Sequence, residues 1–126
     1  VLNVDIGGGT TKFALIADGL VRQTAAISVG ARLLAFDEAN VVTRVEASGR
    51  KIMRELGYQA EIGQKIRPDQ QAGFADSLAG IILEIIEQRQ ISQLAQQLMA
   101  TAPTGTSHAQ FIWTPAQRIT DIPLEL

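Results

Sequence analysis

The residues best equipped for chemistry stand close together near the start of the chain, in "VDIGGGTTKFAL", residues 4–15. Asp5 is flanked by Val4 and Ile6 at the end of an apolar strand, where an ionised carboxylate is costly without a positive partner. Gly7, Gly8 and Gly9 let the backbone turn its N–H groups toward one point, and Thr10 and Thr11 add hydroxyls, so the loop reads as a concave anion site. A phosphate bound there needs a cation. Magnesium is usually held by one or two carboxylates together with substrate phosphates, and Asp5 would be that carboxylate. The alternative on spacing alone is a purely structural glycine turn between two strands, using positive φ angles. It leaves Asp5 and the threonines unexplained.

Two commoner phosphate motifs are excluded by inspection. A P-loop needs Gly-Lys-Ser/Thr entering a helix, whereas here Gly9-Thr10-Thr11-Lys12 runs into the strand-like "FALIA". A dinucleotide loop counted from Gly7 needs a glycine where Lys12 stands, and again a following helix.

The elements that must position this loop follow from periodicity. Residues 1–29 read as three antiparallel strands: "VLNVDI", then "TKFALIA", then a return through "LVRQTAAISV" after an Asp18-Gly19 hairpin turn. Both faces of "TKFALIA" are largely apolar, which predicts cover on both sides. A second hairpin pairs "LLAF" with "VVTRV" through residues 37–40, its register open. The period then turns helical. Residues 47–56 carry Ile52, Met53 and Leu56 on one face and end at Gly57. Pro68 opens a long helix to about Gln88, with a stripe of Phe74, Leu78, Ile81, Ile82, Ile85 and Ile86. Ile91, Leu94, Ala95, Leu98 and Met99 give a third helix. These stripes are core, and Arg50, Lys51 and Arg54 form a wet face. Residues 104–126 are poorly specified: a polar loop with His108 solvated, then "FIWT", with Trp113 as a packing residue.

Composition bounds the rest. The 126 residues suit a single domain, and 46% apolar with 19% charged residues is ordinary for a globular chain. A net charge of −2 leaves no footprint for nucleic acid or an anionic membrane, so neither is an expected partner. The absence of cysteine removes disulfides and thiolate chemistry, and one histidine cannot build a zinc site. No apolar run approaches the ~20 residues of a membrane span, and the first residues lack a basic leader, so a cytoplasmic protein is the default expectation. Opening on a strand without methionine and stopping at "TDIPLEL", the chain reads as a piece of something longer.

The run "VDIGGGTT", an apolar strand, a "DG" turn, another strand and "SVG" resembles the second phosphate-binding segment of the actin-like ATPase superfamily. With "VLNVDIGGGTTKFALIADG", "ISVGARLLAFDE" and "ISQLAQQLM", the resemblance narrows to the ethanolamine ammonia-lyase reactivating factors, the EutA family, over about residues 1–103. It implies an α/β fold of the actin-like (ribonuclease H-like) kind, with an N-terminal antiparallel three-stranded sheet followed by helices, residues 1–126 forming part of the second lobe. It also implies ATP and Mg2+ in a cleft between two lobes. Asp5 would take the acidic catalytic and metal-holding role, and Gly7, Gly8, Gly9, Thr10 and Thr11 would contact phosphates. The implied task is ATP-dependent reactivation of ethanolamine ammonia-lyase by exchange of damaged cobalamin for adenosylcobalamin, and the implied location is the cytoplasm, in association with a bacterial microcompartment. Lys12 stands where superfamily relatives often carry Asp, Glu or Asn, and Ala31 where a second glycine is common. The first lobe's loop and a nucleoside "SGG" motif are not in the sequence, so the chain by itself is expected to be inactive. A small-molecule kinase and a bacterial filament protein of the same superfamily are the rival readings.

Overall fold

A computed structural model describes residues 1–87 and 91–100. Three strands, β1 (Leu2–Ile6), β2 (Thr11–Ala17) and β3 (Leu20–Ile27), form an antiparallel sheet in the order β1-β2-β3. This is the arrangement expected for residues 1–29. Between β2 and β3, Asp18 and Gly19 adopt φ of 54° and 72°, the paired left-handed conformations of a two-residue turn whose twist matches that of the strands. The far edge of β3 takes up the end of the described chain: Ser28 N–H donates to Leu98 O at 2.7 Å and Ala100 N–H to Ala26 O at 2.8 Å.

A second hairpin, β4 (Leu34–Phe36) with β5 (Val42–Val45), pairs Leu34 with Val45 and shifts register after Ala35. Its turn is organised by Asp37, whose Oδ1 accepts from the amides of Ala39 and Val41 at 2.9 and 3.0 Å. Helix α1 (Ala47–Glu55) follows, and Gly57 ends it at φ 80°. There Tyr58 N–H reaches back to Met53 O and Gly57 N–H to Arg54 O, closing the carbonyls the helix leaves open. Helix α2 (Pro68–Glu87) starts on the expected proline, which needs no N–H partner in a first turn. The Arg67 guanidinium holds the Asp69 carboxyl below its ordinary range from just outside that turn. Helix α3 (Gln93–Gln97) is capped by Ser92, whose hydroxyl accepts from Ala95 N–H at 3.2 Å.

One contiguous core joins these elements. The inner face of the sheet contributes Phe13, Leu15, Ala25 and Ile27; α1 adds Ile52 and Met53, and α2 adds Phe74, Ile81 and Ile85. Burying each large aliphatic side chain contributes about 1.5–3 kcal/mol.

Three expectations change. The second face of β2 is open: Lys12 is exposed and Ala14 and Ile16 are partly so, because the helices gather on the other side of the sheet. The third helix is shorter than its apolar spacing predicts, since Met99 leaves it to bridge Ile27. On α1, Arg50 is not simply solvated but pairs with Glu61 at 3.2 Å. The readings for residues 104–126, including His108, "FIWT" and Trp113, lie outside the described residues. Among the described residues, no helix is long and apolar enough to cross a membrane.

Candidate functional site

Ile6 and Thr11 form the last rung of the β1–β2 ladder, and residues 7–10 span them as a four-residue loop. Gly7 N–H donates to Thr10 O at 2.8 Å, which closes the loop on itself. None of its three glycines has positive φ, so the loop turns without the left-handed conformations of the alternative reading. The close approach is required of Gly30 instead. The loop lies directly on Gly30, where a Cβ would fall 2.6 Å from the Gly7 and Gly8 carbonyl oxygens.

The following segment fixes the loop's orientation. Ala31 N–H donates to Gly7 O at 2.9 Å and Arg32 N–H to Gly8 O at 2.8 Å. Among the described residues no peptide bond is cis, and in a trans unit the N–H points opposite to the C=O. The Gly8 amide shares its unit with the Gly7 carbonyl, and the Gly9 amide with that of Gly8. Both N–H groups therefore point away from residues 30–32. No acceptor is drawn for them among the described residues, and a Cβ on Gly9 would meet nothing within 4 Å. Two adjacent backbone donors thus face outward from an anchored loop.

The side chains divide into two sets. Thr11 is fully buried and its Oγ1 donates to Val29 O at 2.7 Å, so it braces the loop from behind, while Thr10 is part-exposed at the loop's end. Asp5 is exposed on the open face of the sheet, one rung below the loop, with Lys12 directly opposite. Lys12 is the charged residue facing Asp5 across the rung, and the two form no ion pair among the described residues. Asn3, Asp5, Lys12 and Thr24 border a cleft of about 340 Å³ on this face. Among the described residues no three His, Asp or Glu side chains gather as a metal site. Asp5 is the carboxylate of this cleft, and none of the loop residues 7–10 lines it.

Two features escaped the sequence. Arg32 lies against the loop: its Cβ and Cδ would each sit 3.8 Å from a Cβ on Gly8. On the other flank an apolar groove of about 440 Å³ runs between Ile6 with residues 29–31 and one side of α2, including Leu78, Ile82 and Leu83. The cation following "SVG" was the available sign of the first. The second depends on which side of α2 the fold leaves uncovered, and periodicity does not specify that.

Comparison with known proteins places the chain. The ethanolamine ammonia-lyase reactivase EutA of Salmonella typhimurium is 38% identical over 101 residues, covering 80% of this chain and 21% of that protein. The ethanolamine ammonia-lyase reactivase EutA of Escherichia coli is 35% identical over 109 residues, 85% of this chain and 23% of its own length. The chain thus spans about a fifth to a quarter of the curated relatives it matches. No solved structure matches. The family model for ethanolamine utilisation protein EutA matches residues 1–113, and the chain belongs to that family.

Proposed function

We propose that this chain supplies one phosphate-binding wall of the ATP cleft in a reactivating chaperone for adenosylcobalamin-dependent ethanolamine ammonia-lyase, within an actin-like lobe. The observation that carries the reading is the outward aim of the Gly8 and Gly9 amides, imposed by the anchoring of the Gly7 and Gly8 carbonyls on Ala31 and Arg32. Loop amides held this way need no rearrangement to donate to phosphate oxygens, and such preorganised donors are the main protein contribution in phosphoryl chemistry. Gly9, with open space where a Cβ would project, lets oxygen approach the backbone. Asp5 would hold Mg2+, directly or through its water, and the ion would neutralise charge on the phosphates. Thr10 lines the loop mouth, and Thr11 keeps the loop seated. The partner lyase follows from the relatives' names, both of which call the protein an ethanolamine ammonia-lyase reactivase.

The test is an amide-resolved NMR titration of the 126-residue chain with ATP, with and without magnesium. The Gly8 and Gly9 amide resonances are expected to move with a dissociation constant of about millimolar, equivalent to ~4 kcal/mol, without measurable turnover. A triphosphate also needs an opposing loop, a nucleoside pocket and closure against water. Shifts absent from the loop at tens of millimolar ATP overturn the phosphate reading. Micromolar binding would instead show that this chain carries a nearly complete nucleotide site.

A further inference from the structure

We infer that Arg32 is a phosphate-contacting residue of this loop, a role that rests on the phosphate reading above and extends it to a side chain outside the glycine motif. Three observations converge on it. The Arg32 backbone is locked to the loop through its N–H bond to Gly8 O at 2.8 Å, so the residue's position is tied to that of the outward amides. Its aliphatic stem lies along Gly8, at 3.8 Å from where a Cβ would stand. Its guanidinium is exposed and has no carboxylate partner among the described residues.

That last point separates it from the other described arginines. Arg22, Arg44, Arg50 and Arg67 each pair with a nearby carboxylate. Arg54 makes no such pair but occupies the last turn of α1, where the negative end of the helix dipole favours a cation. Arg32 has neither arrangement. It is a positive group left unneutralised on a stem that runs along Gly8, and a planar guanidinium is suited to binding phosphate oxygens through two parallel hydrogen bonds. The ligand class is a di- or triphosphate, with the backbone amides and Arg32 sharing the oxygens.

The experiment titrates the 126-residue chain with inorganic tripolyphosphate, which lacks a nucleoside, and follows the Gly8 and Gly9 amides. Arg32→Gln is expected to raise the dissociation constant about tenfold, the scale of a lost charge-assisted hydrogen bond. Arg32→Lys should recover part of that loss, because the charge returns without the fork. Arg54→Gln is the control for net charge; its side chain borders a separate cleft with Tyr58 and Glu61. Unchanged loop chemical shifts in unliganded Arg32→Gln confirm that the fold is intact. If wild type titrates and Arg32→Gln titrates with the same constant, this inference fails while the phosphate reading stands. Equal losses in Arg32→Gln and Arg54→Gln also overturn it. If wild type does not respond to tripolyphosphate or ATP, both fall together.

Discussion

The Asp5 carboxylate faces water with Lys12 across the rung, so its charge does not carry the desolvation cost that its apolar neighbours suggest. The reason is the pleat: Val4 turns partly toward the core while Asn3 and Asp5 share the other side, and that side of the sheet is uncovered. A residue held this loosely by the fold can be changed without unfolding it. Asp5→Ala is expected to leave stability within about 0.5 kcal/mol, as exposed substitutions usually do. In a full-length member of the family carrying this segment, the same change should reduce magnesium-dependent ATP turnover on the order of 100-fold, the scale of a lost preorganised group at a transferring phosphate. Urea unfolding and steady-state turnover check the two halves. Unaltered turnover in a folded variant would leave the carboxylate with no part in the chemistry. Thr11 is the opposite case: from sequence its hydroxyl is interchangeable with that of Thr10, yet burial and the Val29 carbonyl commit it to holding the loop.

At the scale of elements, the sequence specified most of what local rules govern. The Asp18-Gly19 turn, the proline start of α2 and the glycine end of α1 were all legible, because each is a backbone requirement met within a few residues. Less legible were features depending on distant partners. The end of α3 is decided by Ile27 pairing with Met99, seventy-two positions away along the chain, and the loop's seat by Gly30 lying under Gly7 and Gly8. Gly49 makes the same point inside a helix. Replacing a mid-helix glycine with alanine ordinarily stabilises by about 1 kcal/mol. Here the new Cβ would lie 2.5 Å from Leu33 O and 3.2 Å from Leu33 C, and backbone cannot yield as a flexible side-chain end does. Steric cost outweighs propensity, so Gly49→Ala is expected to destabilise the chain by about 1–3 kcal/mol, the usual range for overpacking. A stability gain on chemical denaturation would show that α1 moves freely away from the strand entry at Leu33.

At the scale of the whole molecule, the described residues place large apolar side chains outside the core as well as within it. Helix α2 presents Phe74, Ile81 and Ile85 to the core, while Leu83, 50% exposed, and Ile6, 54% exposed, border the groove beside the glycine loop. Side chains three or four apart share a helix face, so Ile81 and Ile85 stack together while Leu83, two positions from each, projects elsewhere. The two positions should therefore respond differently to substitution although their side chains are similar in size. Ile85→Ala empties a fully buried site and is expected to cost about 2–5 kcal/mol. Leu83→Glu places a charge where water already reaches and should change stability by no more than about 0.5 kcal/mol. Urea unfolding of the three proteins, at two protein concentrations tenfold apart, measures this contrast. A loss at Leu83 comparable to that at Ile85, growing with wild-type concentration, would mean that the groove is covered by another copy in solution. Concentration-independent midpoints with a near-neutral Leu83→Glu would show that the core on the inner side of the sheet suffices for the fold, leaving the groove beside the loop open to solvent.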